Sequence, residues 1–422
     1  MIKQILGTTF SRIIITLGGI VVLFMNTRFL GAQKLGELSL ILIALNLILQ
    51  VSELIGGPSL VYLQKKYQVN KLLSLSYLWS IVVAGCAYLI MHLFFGEITL
   101  VFVLSLCAFV QSINHTHLHL LVGKEYIKNY NISTLVQIIL VVILILVFYL
   151  GQDSASVSTY LWIYFIGQLF SLVFSTTYLS TNIRNGGQFG LEKNLITEAF
   201  KYGYMIQLAN IFQFGVYRIN YIILESFTSL STLGVFSLGI QLSEKALIPC
   251  NAISMVQYAK ISNSDDKSKS NVLTIHLVSL SLSIAVLTAL TLVCLPGSLI
   301  VWLFGSDFIL TNTLFYYLAP GILFMSVSVI YSHYFAGLGK YHLNTITSLV
   351  GVIIIAVLSY LLIPIYDMKG AALATSAVYF VQMLIQSIFF KRESNMKWSE
   401  IISLHRKSFG MFNLNRIKDL KK

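Results

Sequence analysis

Twelve apolar stretches, each about 20 residues long, follow one another along this 422-residue chain and decide what it can fold into. They run from 10 to 30, 38 to 60, 73 to 95, 98 to 121, 131 to 151, 159 to 180, 203 to 226, 231 to 258, 273 to 295, 312 to 336, 344 to 364 and 370 to 390. About 20 residues of α-helix cross a hydrocarbon core of about 30 Å. A closed β-barrel, the other way to span a bilayer, would alternate apolar and polar residues instead of running in continuous blocks. The chain is therefore expected to be an all-α integral membrane protein with about twelve transmembrane helices. An aqueous globule is excluded, because only 10% of the residues are charged and 57% are hydrophobic, against about 25% charged in soluble domains. The first stretch follows Lys3 and Arg12 as a signal peptide would, but NTRFLGAQKLG follows it with no small-x-small cleavage site, so it is kept as the first span. Cys86, Cys107, Cys250 and Cys294 each lie in an apolar run without CxxC spacing and read as small core residues, with no disulfide or zinc framework.

Orientation follows from the basic residues in the connections. With the N-terminus cytoplasmic, 23 Lys and Arg fall on the inner side and only Arg28, Lys34 and Lys369 on the outer side. Both termini are thus expected inside, and the net charge of +12 is a topology signal that implies no nucleic acid. The outer connections, such as GAQKLG, GQDSASVS and YDMKG, are too short to hold a catalytic domain. The turn-rich connection after the sixth stretch divides the chain into an N-terminal lobe over 1–185, a cytoplasmic linker over 186–200 and a C-terminal lobe over 201–390. LGELSL at 35–40 and LGVFSL at 233–238 open the second stretch of each lobe, a faint sign of a parallel repeat. Residues 391–422 form a basic amphipathic tail, in which Trp398, Ile401, Ile402, His405, Phe409 and Phe412 share a helix face suited to an anionic inner leaflet or a partner.

A family resemblance covers almost the whole chain in order. TRFLGAQKLGELSL, SELIGGPSLVYLQKK, YRINYIIL, STLGVFSLGIQLSEKALIPCNAISMVQYAKIS, WLFGSDF and AGLGKYHLNTITSLVGVIIIAVLSYLLIPIYDMKGAALATSAVYF together resemble polysaccharide flippases of the Wzx type. These belong to the superfamily of multidrug extrusion transporters and lipid II flippases. The resemblance implies two six-helix lobes around a central cavity. It also implies alternating-access transfer of undecaprenyl-pyrophosphate-linked oligosaccharide, an O-antigen or capsule repeat unit, from the cytoplasmic to the periplasmic leaflet of a bacterial inner membrane. A polysaccharide polymerase and chain-length proteins are the partners it suggests, beside membrane lipids. Asn220 stands in RINYII where many relatives carry an acidic residue, so an ion-coupling role for that position is in doubt, whereas Glu53 matches relatives in charge.

Charged residues inside the apolar stretches are the candidate site, because a bare charge at mid-bilayer costs about 2.5 kcal/mol or more. Lys245 lies some 13 residues from either end of its stretch, about 20 Å at 1.5 Å per residue, beyond the reach of snorkelling. It is read either as neutralised by Glu53 or by Glu244, or as a cation for a pyrophosphate or acidic sugar. Adjacency on a helix turns Glu244 about 100° away and favours the second reading. Arg218 either snorkels outward past Glu225 or offers its planar fork to phosphate. Arg12 and Arg28 are interfacial anchors, or extend a basic track if the first helix faces the cavity as the resemblance suggests. Glu53, with Glu244 as a second candidate, is a possible proton-coupling carboxylate, or else pairs with Lys245. In NHTHLHL, His115 and His119 share a helix face and His117 points away. With no acidic partner evident, no metal site is assigned and the histidines are expected to line the inner mouth.

No phosphate-loop, HExxH or GxSxG motif occurs, and no cofactor is implied. The expected function is a flippase and not an enzyme. Two alternatives are a drug or ion exporter of the same superfamily and a membrane polysaccharide polymerase or glycosyltransferase. Basic cavity residues speak against cationic drugs and the short outer loops against the polymerase.

Overall fold

The structure is a computed structural model that describes residues 2–95, 98–151, 155–264 and 266–411. Among the described residues all regular structure is helical. The order is α1 (Ile2–Gly56), α2 (Ser59–Leu63), α3 (Val69–Phe95), α4 (Ile98–Gly123), α5 (Ile127–Gly151), α6 (Val157–Arg184) and α7 (Lys193–Phe227). Then come α8 (Leu230–Ala246), α9 (Ile248–Ser262), α10 (Lys267–Val293), α11 (Gly297–Phe304), a 3₁₀ turn (Ser306–Phe308), α12 (Thr311–Gly337), α13 (Tyr341–Ser394) and α14 (Trp398–Met411). Eight helices among the described residues are long and apolar enough to cross a bilayer.

Two of these eight, α1 and α13, hold two expected spans each. The helical path breaks at Gly31 (φ 72, ψ 178) in α1 and at Asp367 (φ 50, ψ −135) in α13. In a straight helix Leu362 and Gly370 would stand about 12 Å apart. Instead a Cβ on Gly370 would lie 2.3 Å from the Leu362 carbonyl oxygen, so the chain folds back at Asp367. The turns GAQKLG and YDMKG thus shrink to single non-helical residues.

The stretch expected as one helix over 231–258 is two helices. Leu247 caps α8 and Pro249 opens the first turn of α9. Pro249 has no N–H to donate to the Lys245 carbonyl, and its ring disfavours a continuous helix there.

The chain divides into two compact units, Met1–Ile211 and Phe212–Lys422. Residues 193–200, expected in a linker, are the first turns of α7, because Leu195 and Ala199 are buried in the same apolar cluster as Leu72, Leu118 and Leu179. In the first unit a second cluster joins α1, α3, α4, α5 and α6 around Leu45, Cys107, Ile145, Tyr149 and Leu161. In the second unit α12 packs against α8, α9, α10 and α13. One cluster there gathers around Val216, Cys250, Ile355 and Val378, another around Ile275, Tyr334, Phe335 and Phe390.

Outward faces are apolar as well: Leu93 is 82% exposed, Ile365 70% and Leu287 68%. Helices apolar on all sides are solvated by lipid, and the protein is a multi-pass integral membrane protein. Hydroxyls within the helices return to the backbone, as when Ser39, Ser105 and Thr274 donate to the carbonyl four residues earlier, which is how polar groups survive without water. After α13, α14 docks against α10. Ile401 is buried in the core, His405 Nδ1 lies 2.6 Å from Ser279 Oγ, and Ser408 Oγ lies 2.5 Å from His276 Nδ1. Trp398 and Ile402 of the expected face remain exposed, while Phe412 and the side chain of Phe409 fall outside what is described.

Candidate functional site

Within the first unit, one polar cluster is built by three helices that approach unusually closely. A Cβ on Gly56 would lie 2.5 Å from the Thr116 hydroxyl, so the bare α-carbon lets the end of α1 come against the turn of α4 that carries His115 and His119. A Cβ on Gly203 would lie 1.6 Å from the Leu54 carbonyl oxygen. That contact seats α7 on α1 one turn before Gln207. The result is a carboxylate with both oxygens engaged. Glu53 Oε1 lies 3.0 Å from His115 Nδ1 and 3.4 Å from His119 Nε2, and Oε2 accepts from Gln207 Nε2 at 3.3 Å. Gln207 also donates to Gln50 Oε1, and its own Oε1 accepts from Asn210 at 3.1 Å. The Glu53 side chain is only 13% exposed. The expectation that the histidine pair has no acidic partner is therefore corrected. The partner comes from α1, 62 positions away from His115. His117 points away as expected. It is buried, Tyr77 Oη meets its Nε2, and Ser175 and Thr176 meet its Nδ1.

Within the second unit, Arg218 of α7 meets Glu244 of α8 through both ends of its fork, Nη1 to Oε1 at 2.8 Å and Nη2 to Oε2 at 3.1 Å. The guanidinium also lies 5.4 Å from the Tyr221 ring, where the ring's negative face adds attraction. Arg218 is thus matched to a carboxylate in the geometry that would suit phosphate, and the expectation that it snorkels outward past Glu225 is corrected. Glu244 is correspondingly the partner of Arg218. Lys245, half-buried in the last turn of α8, makes no hydrogen bond or ion pair among the described residues. Two residues after Arg218 on α7, Asn220 is buried. It donates to Thr375 Oγ1 at 2.9 Å, while its own Oδ1 has no partner among the described residues.

The sequence-expected residues thus fall into separate groups. Arg218, Glu244 and Lys245 share one place in the second unit, Glu53 and the histidine pair another in the first. Arg12 and Arg28 are exposed on α1, about 24 Å apart along the helix. Gln50, Gln207 and Asn210 belong to the Glu53 cluster and were not anticipated. The signal available for them was polar residues spaced by three and four inside apolar helices.

No protein-family model matches the chain. A curated relative, the capsular polysaccharide biosynthesis protein CapF of Staphylococcus aureus, is 26% identical over 348 residues, which are 79% of this chain and 85% of that one. Among solved structures, an inward-facing multidrug resistance MATE transporter of the MOP superfamily superimposes with a TM-score of 0.73 at 14% identity, over 93% of this chain and 96% of the other. The lipid II flippase MurJ, in an inward closed conformation, superimposes with a TM-score of 0.69 at 16% identity, over 99% of this chain and 93% of the other. The all-α arrangement of this chain is therefore the fold shared by MATE transporters of the MOP superfamily and the lipid II flippase MurJ.

Proposed function

We propose that the protein is a flippase that carries an undecaprenyl-pyrophosphate-linked oligosaccharide from the cytoplasmic to the periplasmic leaflet of a bacterial inner membrane, by alternating access and with both termini in the cytoplasm. The observation that carries this reading is the charge balance around the α8–α9 break. Arg218 and Glu244 neutralise each other, which leaves the cluster one positive charge, on Lys245. An intramembrane cation with no carboxylate in contact is a functional-site signal, and it selects for anionic cargo such as a pyrophosphate or an acidic sugar. Likeness in sequence to a capsule-biosynthesis protein and in fold to a lipid-carrier flippase supports the same cargo class. Polysaccharide polymerase and chain-length proteins are the partners this reading implies.

Deletion should make the lipid-linked unit accumulate on the inner leaflet, with its glycan identified by mass. Lys245→Ala should abolish surface polysaccharide at unchanged protein level. Normal polymer from that variant would remove Lys245 from the mechanism. The MATE-like fold favours a second reading, export of a small molecule. Whole-cell drug accumulation that changes with the protein, alongside unaltered surface polymer, would select it.

A further inference from the structure

The geometry points to a transition-metal site in the first unit, in which Glu53, His115 and His119 bind one zinc ion. The three donor atoms, Glu53 Oε1, His115 Nδ1 and His119 Nε2, all lie within 4.8 Å of one another. Bonds of about 2.0–2.2 Å to a tetrahedral ion place donors about 3.3–3.5 Å apart. Two of the three separations, 3.0 and 3.4 Å, are already near that range. The remaining separation, between the two imidazole nitrogens, need close by no more than about 1.5 Å to reach it, within the reach of a χ rotation on each ring.

The supporting features are those of a ligand set held in place. Two histidines at i and i+4 on one helix face are a zinc-binding spacing wherever a third ligand faces them. Here the third ligand comes from another helix, seated by the close approach at Gly56. Outer partners orient it, as outer partners of ligating carboxylates do: Gln207 holds Oε2 and leaves Oε1 turned to the imidazoles, while Gln50 and Asn210 fix the Gln207 amide. The donors are partly accessible, with side chains 31%, 24% and 13% exposed for His115, His119 and Glu53, so an ion can enter and keep one open position. Two imidazoles and a single carboxylate suit zinc and its first-row neighbours over magnesium or calcium, which take all-oxygen shells. Bound metal would pin α1 to α4.

The site stands independently of the proposed cargo, and its test reads metal and not transport. Full-length protein in detergent micelles is stripped with chelator, titrated with Zn²⁺ and with Co²⁺ as an optical probe, and analysed for bound metal after desalting. The expected result is one ion per chain, with the visible bands of tetrahedral Co²⁺. His115→Ala with His119→Ala should weaken binding at least 100-fold. Gln207→Ala should weaken it about tenfold, the low end of the range of about 10–100-fold for outer-shell partners. His342→Ala, an exposed histidine elsewhere, should leave it unchanged. Should the double alanine variant not purify as a single species, His119→Gln, which keeps a polar group facing Glu53, takes its place and should likewise lose the ion. Sub-stoichiometric metal in the wild-type protein at micromolar Zn²⁺, or equal binding by the wild type and the histidine variant, would overturn the assignment.

Discussion

Removing Glu244 should cost more stability than its own contacts suggest, because Arg218 would be left charged with no carboxylate. Breaking a fully buried pair costs about 3–5 kcal/mol. The Arg218 and Glu244 side chains are 24% and 34% exposed, so screening reduces the cost to about 2–3 kcal/mol. Replacing both residues with apolar ones of similar volume, Arg218→Met with Glu244→Leu, removes the desolvation penalty together with the attraction and should be close to neutral. With Arg218→Met alone and Glu244→Leu alone each costing about 2–3 kcal/mol, the double-mutant cycle should therefore give a coupling energy of about 4–6 kcal/mol. Arg218 and Glu244 both lie in the second unit. If that unit melts cooperatively, Glu244→Leu should lower its midpoint by about 4–12 °C. The assay is thermal unfolding of the four proteins in one detergent, followed by far-UV ellipticity and by exposure of buried cysteines such as Cys250 to a thiol dye. Additive single effects, with coupling below about 0.5 kcal/mol, would mean the two side chains do not depend on each other, and would refute the pairing.

Three further outcomes follow from the backbone and from the tail. Asp367 holds φ 50 with ψ −135, a conformation that costs a residue with a Cβ about 1–3 kcal/mol, so Asp367→Gly should raise the unfolding midpoint; a lower midpoint would show that the break is unstrained. Gly203→Ala drives a Cβ into the Leu54 carbonyl and should destabilise the first unit by about 1–3 kcal/mol, read as faster proteolysis between α6 and α7; unchanged cleavage would contradict the close approach. Burial and the neighbouring His276 hold the His405 pKa below the usual histidine value, so docked α14 favours the neutral ring. The stabilisation is present above the ordinary histidine pKa of about 6.5 and lost as pH falls through the lowered folded value, so trypsin should release α14 faster in acid, and His405→Ala should remove that pH dependence.

Helix placement was legible because each span must be apolar for about 20 residues, whatever it packs against. Even the sharp turns were marked, GAQKLG at Gly31 and YDMKG at Asp367. The break between α8 and α9 was not read, because apolar periodicity runs straight across Pro249 and a proline alone does not mark a break: α12 continues through Pro320 and α13 through Pro364. Pairings of charge were the least legible. Arg218 meets Glu244 across 26 positions and Glu53 meets His115 across 62. Nothing local fixes those distances. They depend on how closely helices pack, and that in turn depends on single glycines such as Gly56 and Gly203.

These pairings change the reason for favouring Lys245 over Arg218. Depth along an unbroken helix no longer distinguishes Lys245, since it lies in the last turn of α8, beside the break. The negative end of the helix dipole favours a cation there by about 0.3–1 kcal/mol. A helix end supports the charge without cancelling it, whereas a carboxylate in contact would cancel it. An anion approaching Arg218 must displace Glu244 from a two-bond contact and leave that carboxylate partly buried without its partner. Among the described residues no carboxylate is hydrogen-bonded to Lys245, although the charge of neighbouring Glu244 reaches it, so under the proposed reading a phosphate would gain a cation there without displacing a two-bond partner. Broken helices whose ends face the substrate are how other transporters place charge inside a bilayer. Here the break falls two residues after Lys245, which ties the position of the charge to the proline that ends its helix.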